Sequence, residues 1–437
     1  MVCLPANSEC DYSFHVLFAW CLCMTSVSDA LRTLGQSFCD VYRPSSIILA
    51  RGQGARVWDV DGRDYIDFAA GVAVCGLGHS DPDLIRALTE QADQLWHVSN
   101  LFYTEPPLQL ARELIAASRF GQRLFFCNSG AEANEVAIKT VRKWAAQQGR
   151  SADHRVIVTC TGSFHGRSLA TVTATAQPKY QQGFEPLPPG FSYVPFNDSA
   201  ALEAVMALGH VVAVMLEPIQ GEGGVMATKP GYLAQVRALC DRYQALLVLD
   251  EVQCGLGRTG ALFAHWHDGI VPDIVTLAKG LGGGFPIGAA LFGPAVAQTL
   301  QRGDHGSTFG GNPLAAAVAR CALSKLASSA VQANVERQSV ALWRELETLQ
   351  HRYRVFSTVR GRGLLLGAVL APPYAGQVGR LIDHAVDTGV LVLQAGPDVL
   401  RLTPPLTLTD EERMEGMERL EMAIQAFCAA HRPNQGA

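Results

Sequence analysis

The first 31 residues contain no lysine or arginine, although 16–24 is a markedly apolar stretch. Without a basic flank that stretch lacks the leading region of a secretory signal. It is also too short to cross a bilayer, which takes about 20 apolar residues. Positive charge is in no excess elsewhere: 35 Lys and Arg face 40 Asp and Glu, for a net charge of -5. That balance gives no electrostatic footprint for nucleic acid, so neither nucleic acid nor membrane is expected as a partner. Internal repeats, low-complexity tracts and obvious flexible linkers are missing too.

What is present is a chain of 437 residues, 48% apolar and 17% charged, too apolar for disorder and long enough for two or three domains around a large core. Its 12 cysteines are scattered, four of them within the first 23 residues. A chain of this length needs no covalent staples, so reduced thiols in a cytoplasmic protein are expected. The sequence changes character at Met24, and from Ser28 onward it reads as a helix leading into α/β sequence. Met24 is therefore expected to be the natural start and 1–23 an extension with no part in the fold.

Through the middle of the chain, short apolar runs at 124–126, 156–160, 211–216, 246–249, 274–277 and 289–292 alternate with helical patterns such as 132–147 and 232–243. Most runs are apolar at every position, the mark of strands buried on both faces of a mostly parallel sheet covered by helices. This predicts a doubly wound α/β domain. Residues 50–75 hold short alternating segments with an Asp-Gly turn and predict a hairpin. Beyond 321 the pattern returns to helix, strand and helix, with 390–393 and 399–402 as small-sheet candidates. We expect a large domain over 81–320 and a smaller α/β domain built from both chain ends, 24–80 and 321–437.

The polar motifs fall just after these runs, where ligands bind in open α/β sheets. One apolar run ends at Asp250-Glu251, and 29 residues later Lys279 follows another, directly before a glycine-rich turn. An amine that bonds covalently to a cofactor aldehyde, and an acid that keeps a ring nitrogen protonated, are the two groups pyridoxal phosphate chemistry needs. Gly280 and 282–284 would allow close approach of backbone and cofactor. Ser129-Gly130-Ala131 stand at a strand-to-helix turn and make a phosphate seat, unless they are only a tight turn. In TGSFHGRS, Phe164 suits stacking on a flat ring and Arg167 suits a carboxylate, while His165 fits a structural hydrogen bond better than acid–base work. Gln253 is within sequence reach of a ring hydroxyl, and Ser307 and Thr308 offer hydroxyls to a phosphate or a substrate.

Two rival motifs are weak. Residues 255–260, GLGRTG, match the dinucleotide fingerprint in form, but five residues separate them from the preceding strand and no convincing helix follows. His265 and His267 stand two apart with no accompanying Cys or acid cluster, so no metal is expected.

SGAEANE, FHGRS, LDEVQ, LAKGLGGGFPIG and GSTFGGNP, in that order, resemble the class III, fold-type I aminotransferases over about 31–420. LWHVSNLFYTEP, QPKYQQGFEPLPPGF and VPFND are similar to the members that act on N2-acetyl-L-ornithine. The resemblance implies a homodimer with active sites at its interface. It implies that Lys279 holds pyridoxal phosphate covalently and later shuttles a proton, and that Asp250 pairs with the ring nitrogen. It puts Phe164 and Val252 on either side of the ring, with Ser129, Gly130 and Ala131 at the phosphate and Glu251 and Gln253 beside the cofactor. Thr308 would reach the phosphate of the partner subunit's site. Arg167, with Ser307 nearby, would hold the donor's distal carboxylate, and Arg401 the α-carboxylate of 2-oxoglutarate or glutamate. Glu222 would mask Arg401 when the donor reacts. The reaction implied moves the δ-amino group of N-acetylornithine to 2-oxoglutarate, in arginine biosynthesis. Succinylornithine, N-succinyl-diaminopimelate, ornithine and 4-aminobutyrate remain alternative donors, and an aminomutase is an alternative of another class.

Overall fold

The computed structural model describes residues 35–431, so the expectations for 1–23, for Met24 and for a helix from Ser28 lie outside the described residues. The N-terminal alternating segments form not one hairpin but an antiparallel meander: β1 (Leu49–Gln53), β2 (Arg56–Asp59) and β3 (Asp64–Asp67). The Asp-Gly turn lies between β2 and β3, where Asp59 Oδ1 accepts from the Asp61 and Arg63 N–H groups and Gly62 takes φ 86°. That positive φ is what glycine supplies.

The apolar runs of the middle become the central sheet. Its strands are β4 (Arg123–Cys127), β5 (Val156–Cys160), β6 (Phe191–Val194), β7 (Val211–Leu216), β10 (Leu246–Asp250), β11 (Ile274–Leu277) and β12 (Gly288–Phe292), in the order β4-β12-β11-β10-β7-β5-β6. Between β7 and β10, β8 (Ile219–Gln220) and β9 (Met226–Ala227) make a short separate pair. Only β12 runs against the rest. Burial on both faces shows in the alternation along β10. Leu246 and Val248 pack with Val136, Ala137 and Val141 of the helix Gly130–Gln147, while Leu247 and Leu249 join Leu233, Val236 and Leu239 of the helix Tyr232–Arg242. Each such side chain contributes about 1.5–3 kcal/mol by leaving water. The same parity turns the next residue, Asp250, toward the helix Gly130–Gln147.

The C-terminal part adds β13 (Phe356–Arg362), β14 (Leu365–Leu370), β15 (Val390–Leu391), β16 (Leu393–Ala395) and β17 (Val399–Leu402). The run at 390–393, expected as one strand, divides at Val392. β15 pairs in parallel with β3, and β16 pairs antiparallel with β17 in the sheet β13-β14-β17-β16. Two distant parts of the chain thus share one sheet. Among the described residues no single helix is long and apolar enough to cross a membrane.

Candidate active site

A cavity of about 420 Å³ opens at the C-terminal ends of the central strands. It brings together Ser129, Gly130 and Ala131 after β4, Phe164 and Arg167 after β5, Glu217 and Glu222 after β7, Asp250, Val252 and Gln253 at the end of β10, and Lys279 after β11.

Ser129 caps the helix Gly130–Gln147, its Oγ accepting from Glu132 N–H at 3.1 Å, and Glu132 reaches back to Asn128 N–H at 2.7 Å. The first-turn N–H groups at Gly130 and Ala131 have no intrahelical acceptor and face the cavity at the positive end of the helix dipole. Val252 packs so tightly on Gly130 that a Cβ there would stand 2.7 Å from Val252 Cγ1.

Asp250 is buried and its carboxylate is held on three sides. Oδ2 accepts from Asn134 Nδ2 at 2.7 Å and lies 2.8 Å from His165 Nδ1, while Oδ1 accepts from Val252 N–H at 3.0 Å. Asn134 is fixed in turn by Thr276, whose hydroxyl donates to its Oδ1 at 2.7 Å. A carboxyl so supplied with donors is fixed in place to face a ring nitrogen.

Lys279 takes a left-handed backbone, φ 44°, immediately after Ala278. A long side chain in that region is a strained arrangement of the kind that clusters at functional sites. Burial pushes its amine below the ordinary lysine value and Arg401 adds to that, chiefly against Glu222 and Asp250. The glycines that follow serve the turn more than the cofactor: a Cβ on Gly282 would stand 1.8 Å from the Phe285 carbonyl oxygen.

Arg401, on β17, is buried and its Nη1 donates to Glu222 Oε1 at 2.5 Å and to Gln253 Oε1 at 3.3 Å. Burial alone would raise the Glu222 carboxyl, but Arg401, helped by Lys279 and Gln253, holds it below the ordinary value. Arg167 is exposed at the mouth, its guanidinium 4.1 Å over the Tyr180 ring and 5.5 Å from that of Phe164.

Three expected residues stand apart. Glu251 is corrected: adjacent to Asp250, it points to the opposite face, where its carboxylate accepts from Ala264 and His265 N–H at 2.6 and 2.9 Å and pairs with His265 Nδ1. It is buried away from the cavity and anchors a turn. Ser307 is one residue removed, its Oγ accepting from Asn128 Nδ2 at 3.2 Å. Thr308 is exposed and lines a different cavity with His97, Asn100 and Phe102. The GLGRTG segment folds into turns, with Arg258 buried and donating to the Leu364 carbonyl at 3.1 Å and to that of Pro404.

Sequence reasoning missed Glu217, Asn134 and Val74, all of which line the cavity. Glu217 follows an all-apolar run as Asp250 does, so the same signal pointed to it. Asn134 and Val74 carried no local signal.

A cavity with a helix N-terminus for a phosphate, flanking apolar side chains for a flat ring, an anchored carboxylate and an amine fits pyridoxal phosphate. The model of the aminotransferase class III family matches residues 40–424. The chain belongs to that family, whose members depend on pyridoxal phosphate. It is 64% identical to the acetylornithine aminotransferase of Xanthomonas campestris pv. campestris, across 93% of this chain and 100% of that one. Among solved structures it is similar to the N-acetylornithine aminotransferase of Stenotrophomonas maltophilia, with 59% identity, a TM-score of 0.81, and coverage of 91% of this chain and 99% of the other. The ornithine aminotransferase of Toxoplasma gondii shares 33% identity with a TM-score of 0.89 over 94% of this chain and 98% of its own.

Proposed function

We propose that this chain transfers the δ-amino group of N2-acetyl-L-ornithine to 2-oxoglutarate, giving N-acetyl-L-glutamate 5-semialdehyde and L-glutamate, a step of arginine biosynthesis. The observation that carries the reading is the 64% identity to the Xanthomonas enzyme over that protein's whole length. When bound, pyridoxal phosphate supplies the carbonyl that takes up the amino group and a ring that accepts electrons.

The residues act as follows. Ser129, Gly130 and Ala131 hold the phosphate at the helix N-terminus. Asp250 would keep the ring nitrogen protonated, Phe164 and Val252 would flank the ring, and Gln253 would stand by its hydroxyl. Lys279 Nζ would hold the cofactor in the resting enzyme and would move the proton at the carbon bearing the transferred amine. Its depressed basicity suits it to give that proton up again. Arg167 clamps the donor's distal carboxylate with its planar fork, and Ser307 supports that end of the site through Asn128. Arg401 takes the α-carboxylate of 2-oxoglutarate when Glu222 releases it, so one site serves two substrates.

The assembly is a homodimer with its sites at the interface. This is supported by an apolar surface bearing Leu101, Tyr103 and Phe309, 86%, 90% and 60% exposed, next to Thr308. Thr308 of a second copy would then complete the phosphate seat. The division into a large domain at 81–320 and a small one from 24–80 with 321–437 is supported by the pairing of β3 with β15. A cytoplasmic location is supported by eight free cysteines among the described residues. Small molecules are the partners, without nucleic acid or membrane.

The test is a half-reaction followed by absorbance. Holoenzyme is mixed, without keto acid, with N-acetylornithine, N-succinylornithine, ornithine and 4-aminobutyrate in turn. Rapid conversion by N-acetylornithine and slow response to free ornithine and 4-aminobutyrate are expected. Preference for either of the last two overturns the substrate.

A further inference from the structure

On the adjacent parallel strands β7 and β10, Leu216 is paired with Leu249. The next residue on each chain is an acid, Glu217 and Asp250. Strand register therefore sets two carboxyls side by side, their backbones about 5 Å apart. Both are buried, 6% and 3% exposed, and both line the cavity. Hydrogen bonds tell the two acids apart. Asp250 accepts from Asn134, His165 and Val252 N–H, whereas among the described residues Glu217 is given one donor, the Phe164 N–H at 3.0 Å from Oε2.

We propose that Glu217 is a positioning residue of this active site, a carboxyl that fastens segment 164–167 to the end of β7. The inference rests on the aminotransferase reading above.

Segment 164–167 carries Phe164 and Arg167, so the tether sets both the ring-stacking face and the distal carboxylate clamp. A second tie lies beside it, Gln220 Nε2 donating to the Thr161 carbonyl at 3.1 Å. The loop leading from Glu217 also carries Glu222, which holds Arg401. Both candidate carboxylate-binding arginines are thus braced from one loop. Burial, and after it the neighbouring Asp250, pushes the Glu217 carboxyl well above the usual carboxylate range, while the Phe164 N–H and then Lys279 oppose and Glu222 adds to the rise.

The experiment compares Glu217→Ala and Glu217→Gln as holoenzymes. Losing the acceptor for the part-buried Phe164 N–H should raise the donor KM of Glu217→Ala by about tenfold, with kcat less affected. Glu217→Gln should rescue that loss, since an amide oxygen still accepts from Phe164 N–H, and its kcat/KM against pH should follow the parent. A glutamine variant as impaired as the alanine one, or with a displaced pH profile, reveals a working charge and overturns the proposal. An alanine variant with the parental donor KM overturns it too. Should the alanine variant fail to fold, the pH profile of Glu217→Gln decides alone. Parental turnover of N-acetylornithine is measured alongside. If that fails, the substrate reading falls by itself, and the variants are compared by the rate of cofactor loss, which should rise for alanine and not for glutamine.

Discussion

His165 Nδ1 lies 2.8 Å from Asp250 Oδ2 with both side chains buried, and among the described residues its other ring nitrogen, Nε2, has no partner. Nδ1 faces the carboxylate, so the ring is placed to serve as a donor to Asp250. Removing it takes one of three donors from a buried carboxylate. His165→Ala should weaken cofactor retention and lower kcat by about tenfold to a hundredfold, the scale of a lost hydrogen bond to a charged group. Equilibrium dialysis of the cofactor together with steady-state rates checks this; parental values for both would show that Asn134 and Val252 suffice.

Lys279→Ala should abolish turnover while the cofactor still binds noncovalently, because the amine holds the cofactor and moves the proton. Its depressed basicity adds a pH dependence for the cofactor-free protein, in which only the unprotonated amine attacks an aldehyde. Covalent loading of the cofactor should rise with pH and level off below the ordinary lysine value of 10.5. A loading rate still climbing through that value would mean an ordinary amine, and full turnover by Lys279→Ala would remove the residue from the mechanism.

Much of this was legible in the sequence, for a physical reason. Strands buried on both faces admit few polar side chains, so charged ones appear where the strands end, and Asp250 and Lys279 were visible there. Side-chain direction was harder. Asp250 and Glu251 read alike as a pair, yet adjacent residues of an extended chain face opposite sides, and only Asp250 continues the parity of Leu246 and Val248 toward the helix Gly130–Gln147. Glu217 obeys the same strand-end rule, directly after Val211–Leu216. The division of 390–393 between two sheets needed the position of β3, more than 300 residues away. Thr308 stands outside the cavity of its own chain.

Glu222→Gln separates the two substrates. With its charge gone, Arg401 should be open to carboxylates in both half-reactions, so the KM for 2-oxoglutarate should fall and the donor half-reaction should slow, each by about tenfold for one charged hydrogen bond. Linkage gives a second readout. The Glu222 carboxyl is depressed in the folded chain, so its contribution to stability is fully present above the unfolded value of about 4.3 and is lost as pH falls through the lower folded one. The fall of Tm on acidification should therefore be shallower in Glu222→Gln, modestly so because the side chain is 25% exposed. Unchanged substrate constants would mean that the Arg401 pair is structural only.

Arg167→Lys tests the mouth of the site. The guanidinium lies 4.1 Å over the Tyr180 ring, and Arg167 lines the cavity. Lysine keeps the charge but loses the planar pair of donors and most of the stacking. The donor KM should rise by about tenfold or more, as expected for loss of a bidentate carboxylate contact, while cofactor affinity and the KM for 2-oxoglutarate move little. That split is the informative part. A defect shared equally by both substrates would move the distal clamp to another residue, and an unchanged donor KM would leave Arg167 as a surface cation resting on Tyr180.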